Sequence, residues 1–163
     1  MTTAPAAVNR GVRPLTAEDI ERVIAIDRAH SGFARRRFFE KRFAAATARP
    51  DDFIHIGMAR GGALRGFAIA RILRGEFGRE HAVVLLDAIG VEMESQERGI
   101  GQVLMAELTD VMRRMGMRSL QSLADWKNHD LVRFFDAAGF ELAPRLVLER
   151  PVAELMTEAS EEV

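Results

Sequence analysis

Apolar residues recur along the chain with two different periods. Ile20, Val23, Ile24 and Ile26 form one helical stripe, begun by Thr16 with Asp19 three residues on, a capping-box pattern with a shorter acid. That helix should end near Ser31–Gly32. A second helix fits Ala34–Ala48, carrying Phe38, Phe39 and Phe43, and Pro50 stops it. The period then shortens. Phe53–Arg60 and Gly66–Leu73 read as strands joined at Gly61–Gly62, a hairpin signal. Ala82–Val91 is almost wholly apolar, as in a central strand covered on both faces. Helical spacing returns at Ile100, Val103, Leu104, Leu108 and Val111, so a helix runs from about Gly99 to Met115, with Gly116 as its C-cap. Ser119–Ala124 reads as a strand, and Asp130–Ala138 as a short helix stopped by Gly139. Phe140–Leu142 and Leu146–Glu149 read as a last pair of strands around Pro144. A short first strand fits Gly11–Leu15.

The resulting order, β-α-α-β-β-β-α-β-α-β-β, combines an antiparallel meander with a parallel crossover, so a mixed α/β sheet is expected. The chain has 163 residues, enough for one domain, here placed at 10–150. Residues 1–9 read as a loose N-terminus and 151–163 as an acidic tail.

Composition removes several classes of function. With no cysteine there is no disulfide, thiolate-bound metal or thiol nucleophile. The net charge of -1 supplies no broad basic field, so no nucleic-acid partner is expected. No apolar run reaches the ~20 residues of a membrane span, and Met1–Asn9 lacks the pattern of a signal peptide. A cytoplasmic protein with no membrane partner is the expectation. His30, His55, His81 and His129 show no metal-ligand spacing, so no metal is expected.

The richest chemistry lies between the apolar strand and the helix after it. Gly99 and Gly101 stand where that helix begins. Glycines there let backbone N–H groups approach a ligand, and the helix dipole favours a phosphate. Arg98 would add charge. The spacing is neither a P-loop nor a dinucleotide fingerprint, and a plain strand–turn–helix joint would look the same.

Gln96-Glu97-Arg98-Gly99-Ile100-Gly101 resembles the Gln/Arg-x-x-Gly-x-Gly/Ala motif of the GNAT family of N-acetyltransferases. Asn128, Phe134-Phe135 and Gly139-Phe140 resemble that family's second signature, an Asn followed by an aromatic pair and Gly-Phe. The resemblance implies a GNAT-type, mostly antiparallel mixed sheet of about seven strands, flanked by about four helices, with the fourth and fifth strands splayed. It implies acetyl-CoA as cosubstrate. Ile89, Gly90, Val91 and Met93 would run beside the pantetheine arm, Gln96 would bind the cofactor, and the amides from Glu97 to Gln102 (Arg98, Gly99, Ile100 and Gly101 between them) would hold the pyrophosphate. Asn128 would touch the cofactor, and Phe135 would stand at the place of the family's general-acid Tyr. The chain has no Tyr at all, so that acid is missing.

Acetylating an amine requires a base, because an amine of pKa near 10 is mostly protonated at pH 7. Asp87, a carboxylate interrupting the apolar run, is the expected general base, with bonding to neighbouring backbone or to an Arg as its structural alternative. Asp125 and Trp126 end the following strand, facing the region where substrate should lie; Trp126 reads as structural, with a place in the substrate wall as its functional reading. Arg35-Arg36-Arg37 reads as a solvated basic face, with attraction of an acidic substrate as its functional reading. The expected activity is acetyl transfer to a primary amine, on a small molecule or a peptide, by direct attack in a ternary complex. The alternative is a non-catalytic acyl-CoA-binding sensor or scaffold. The acceptor should be set by Ser31–Ala34 and Ala143–Arg145, and the resemblance is compatible with a homodimer.

Overall fold

A computed structural model describes residues 11–152. The expected loose N-terminus lies outside these residues, as does the acidic tail beyond Val152. The first strand, β1 (Val12–Pro14), leads through a single 3-10 turn, Ala17–Asp19, into α1 (Ile20–Ser31). The start is pinned by Asp19. Its carboxylate accepts both Arg13 Nη atoms at 2.7 Å and the Thr16 N–H at 2.8 Å. These contacts, led by the Arg13 hydrogen bond, hold its pKa down at about 2. Helix α2 (Arg36–Ala48) follows, then the hairpin β2 (Phe53–Arg60) and β3 (Ala63–Leu73), then β4 (Val83–Val91). Helix α3 (Ile100–Arg114), β5 (Leu120–Ser122) and α4 (His129–Ala137) complete the order.

The sheet has the strand order β1-β2-β3-β4-β5. All pairs are antiparallel except β4–β5, which is parallel, as the crossover through α3 requires. Apolar side chains cover both faces. One face carries Ile54, Ile56, Ala68, Val84 and Leu86 under α3, with Leu104 and Leu108 fully buried. The other packs Phe67 and Ile69 against Val23, Ile26 and Phe39 of α1 and α2. This double coverage explains why the β4 sequence is continuously apolar rather than alternating.

The sheet has five strands, not about seven. The expected strands Phe140–Leu142 and Leu146–Glu149 are absent; this stretch is irregular, with Leu142, Leu146, Val147 and Leu148 exposed. Their apolar pattern has the period of a strand, but no strand among the described residues pairs with them. The middle elements lie within a few residues of their expected bounds.

Candidate functional site

The site begins where two strands part. β4 and β5 pair only from Val84–Leu120 to Leu86–Ser122, and Ser122 Oγ donates to Leu86 O at 3.0 Å at the fork. β4 continues to Val91 without β5. On its other side, Glu92 N–H donates to Arg65 O at 2.8 Å. Hydrogen-bonded pairs alternate along an antiparallel ladder, so Phe67–Gly90 is the next such pair. The N–H and C=O groups of Ile89 and Val91 therefore face the side that β5 has vacated. His30 Nε2 lies 2.6 Å from Val91 O at the far end of this edge.

Asp87 occupies a β-bulge. Ile69 pairs with Ala88 and Ala70 with Leu86, which leaves Asp87 as the extra residue. Bulges re-aim side chains and cluster beside active sites. The Asp87 side chain is 6 % exposed and is held between two guanidinium groups. Arg71 Nε donates to Oδ1 at 3.0 Å, and Arg42 Nε lies 2.7 Å from Oδ2. The carboxylate expected as general base thus faces a guanidinium at each oxygen, with Oδ1 hydrogen-bonded and the buried Oδ2 ion-paired to Arg42 without a hydrogen bond. His55 on β2 stacks near Phe43 and Phe53, with centroids 5.4 and 5.6 Å away. Burial pushes its pKa down to about 4, so the ring is neutral at pH 7.

A cavity of about 160 Å³ opens at the fork, lined by Leu86, Asp87, Ile89, Ser122, Phe135 and Arg35, among others. Arg35 comes from the α1–α2 connection. Its Nε donates to Asp27 Oδ2 at 2.9 Å and its Nη2 to Asp27 Oδ1. The guanidinium lies 4.9 Å from the Phe38 ring and 5.4 Å from the Phe39 ring. A second hollow of about 240 Å³, lined by Glu80, His81 and Arg118, lies at the opposite end of β4.

The glycine turn follows β4 directly. Met93–Arg98 forms a 3-10 segment and Gly99 is left-handed, with φ of 70°. The first intrahelical bond of α3 is Val103 N–H to Gly99 O at 3.0 Å. The N–H groups of Ile100, Gly101 and Gln102 precede it, and no side chain caps them. They form a donor cluster at the positive end of a 15-residue helix. The two glycines differ in purpose. Gly99 supplies the left-handed turn. A Cβ on Gly101 would stand 2.8 Å from the Phe134 ring, so Gly101 permits close packing of α4 on α3. Gly90 likewise makes room for Phe67.

The other expected residues are placed as follows. Ile100 is a core anchor, 1 % exposed, so only its backbone faces outward chemistry. Met93, Gln96 and Gln102 are exposed, and Gln96 Nε2 lies 3.5 Å from His30 Nδ1. The side chains of Glu97 and Arg98 lie outside the description. Asn128 caps α4, accepting Leu131 N–H at 3.2 Å. Phe135 is buried and stacks on Phe140 at 4.7 Å. The site thus brings Asp87, Ile89 and Phe135 to one cavity, with the α3 head beyond Val91.

Two features were not anticipated. Arg36 does pair on the surface with Glu21, but Arg35 turns into the cavity. The signal was Asp27, a carboxylate inside the apolar stripe of α1, which needs a buried partner. Trp126 is 81 % exposed and packs in no core, because it stands in the turn between β5 and α4. Among the described residues no three His, Asp or Glu side chains gather as a metal site, and no helix is long and apolar enough to cross a membrane.

Residues 17–140 match the acetyltransferase (GNAT) family. Among curated proteins the sequence finds no significant match. Among solved structures, the fold resembles the aminoglycoside N-acetyltransferase AAC(6')-Iy in complex with CoA. That match has a TM-score of 0.70 and 19 % identity, covering 92 % of this chain and 99 % of that one. It also resembles an aminoglycoside acetyltransferase from an uncultured soil metagenomic sample, in complex with sisomicin. There the TM-score is 0.66 and the identity 14 %, over 86 % of this chain and 93 % of that one. A transcriptional regulator from Bacillus halodurans aligns with a TM-score of 0.71 and 17 % identity, over 86 % and 97 %.

Proposed function

The chain belongs to the acetyltransferase (GNAT) family of acyl-CoA-dependent enzymes, and from that premise we propose that it acetylates a primary amine by direct attack in a ternary complex. One observation carries the reading: the β4 edge at Ile89 and Val91, which no strand covers among the described residues and which only His30 touches at Val91 O, runs from the cavity toward the uncapped head of α3. An amide-bearing arm ending in phosphates fits both halves of that track. Acetyl-CoA supplies the activated thioester. The Ile89 and Val91 backbone groups bind its arm as an added strand would. The N–H groups of Ile100, Gly101 and Gln102 bind its pyrophosphate. A strand N–H beside the cavity polarises the thioester carbonyl and stabilises the oxyanion as the amine adds.

Asp87 serves this reading as a positioning residue. Its Oδ1 accepts Arg71 and its Oδ2 is ion-paired with Arg42, so the carboxylate orders two arginines behind the cavity wall. Water reaching the cavity takes the amine proton. Phe135 lines the cavity without a hydroxyl, so no side-chain acid there meets the departing thiolate; with a thiol pKa near 8.5, none is needed at neutral pH. The absent hydroxyl also favours the rival reading, an acyl-CoA sensor. The exposed apolar side chains at Leu142 and Leu146–Leu148 favour a homodimer.

Calorimetry with acetyl-CoA, combined with thiol release over a panel of primary amines, tests the proposal. Binding together with amine-dependent thiol release is the expected result. Binding without release on any amine would establish the sensor instead.

A further inference from the structure

We propose that the acceptor carries an anionic group, a carboxylate close to its amine, and that Arg35 recognises it. This rests on the acetyl-transfer reading above. The argument starts from which charges in the cavity are already spent. Asp87 has one guanidinium on each oxygen. Asp27, 8 % exposed, spends both oxygens on Arg35. The pair is side-on, through Nε and Nη2. It leaves Nη1, with two N–H donors, uncommitted among the described residues. His55 is uncharged. Three arginines therefore share two carboxylates; the surplus charge sits on the Arg42–Arg71 pair around Asp87, while Arg35, balanced by Asp27, is the one cation lining the cavity and presents its uncommitted Nη1 there.

The guanidinium is also held in place before any ligand arrives. Asp27 fixes its plane from one side and the Phe38 ring supports its face. Arg42 lies against the same Phe38 ring at 5.0 Å. Such a fork loses little freedom on binding a carboxylate, and its planar geometry suits one. The same charge disfavours a polycationic acceptor, whose ammonium groups would meet an arginine with no free carboxylate nearby. The cavity of about 160 Å³ has room for the acetyl head and the amine-bearing end of a small acceptor.

The test is thiol release from acetyl-CoA with matched acceptors: free amino acids, the corresponding amino-acid amides, and a linear polyamine. For the native enzyme, kcat/KM should favour the free acids over their amides by at least tenfold, and the polyamine should be poorer still. In Arg35→Gln the acid-to-amide ratio should fall toward one, through KM for the acids. Arg35→Lys should restore part of it. Because Arg35→Gln strands Asp27, the double variant Asp27→Asn/Arg35→Gln is measured alongside and should show the same lost ratio. Equal or better turnover of amides or polyamine would overturn this inference while leaving acetyl transfer intact. So would a uniform loss on all acceptors in both variants. No turnover of any amine, with acetyl-CoA still bound, would remove the transferase reading and this one with it.

Discussion

Replacing Asp87 by Asn separates the two roles this carboxylate can play. The side chain keeps its shape and loses its charge, leaving Arg42 and Arg71 without their common anion. Breaking a buried ion pair by removing one partner costs about 3–5 kcal/mol. The two arginines are 24 % and 34 % exposed, so water can solvate them in part and the lower end, about 3 kcal/mol, applies. In a domain of this size that corresponds to a fall in Tm of roughly 6–12 °C. The fold should survive, since domain stabilities run to about 5–15 kcal/mol. Thermal melts and urea titrations followed by circular dichroism measure the loss. Thiol release across pH 6 to 9 measures the chemistry, expected to slow by less than tenfold and to keep its acid limb. A general base would behave otherwise in the chemistry: a rate loss of about a hundredfold together with loss of the acid limb, in a variant that remains folded. That combination would refute the positioning role.

Three further outcomes follow from particular contacts. Gly101→Ala places a methyl 2.8 Å from the Phe134 ring; overpacking of about 1–3 kcal/mol, partly offset by better helix propensity, should give a net loss near 1 kcal/mol in urea titrations. Acetyl-CoA affinity should change less than threefold, because the residue's N–H remains; a collapse in affinity would show that the ligand itself needs the bare glycine. His55 has its pKa lowered to about 4 from 6.5, so the unfolded chain binds the proton more readily. Its contribution is complete above pH 6.5 and is lost as pH falls toward 4, by about 2 kcal/mol after allowing for partial exposure. His55→Phe should flatten that part of the stability curve, and an unchanged slope would place the titration elsewhere. Phe135→Tyr should alter thiol release by no more than about tenfold; a gain of several hundredfold would mean that the native cavity lacks an acid it needs.

The order and type of the elements from α1 to α4 could be read from periodicity, because each buries its own stripe or face. The last two strands could not. Phe140–Leu142 and Leu146–Glu149 have the right alternation, but a strand also requires a partner, and periodicity does not say whether one is available. The glycine turn was recognisable, whereas the division of labour within it was not: Gly101 answers to Phe134, far along the chain. Asp87 could be singled out as a charge in an apolar strand. The same reasoning applied to Asp27 would have led to Arg35. Which arginines meet Asp87 depends on the bulge opposite Ile69 and Ala70 and on the placing of α2, neither of which leaves a local pattern.

Trp126 gives the molecule an unusual optical character. It is the single tryptophan of a chain without tyrosine, and it stands in water in the turn that joins β5, beside the cavity, to the Asn128 cap of α4. Ultraviolet emission therefore arises from one solvated indole in the native and unfolded states alike. Denaturation should pass almost unseen in fluorescence, while a ligand settling along the β5–α4 rim should quench or shift that emission. The protein thus carries its own label for occupancy of the cleft, and one that is nearly blind to the folding of the rest.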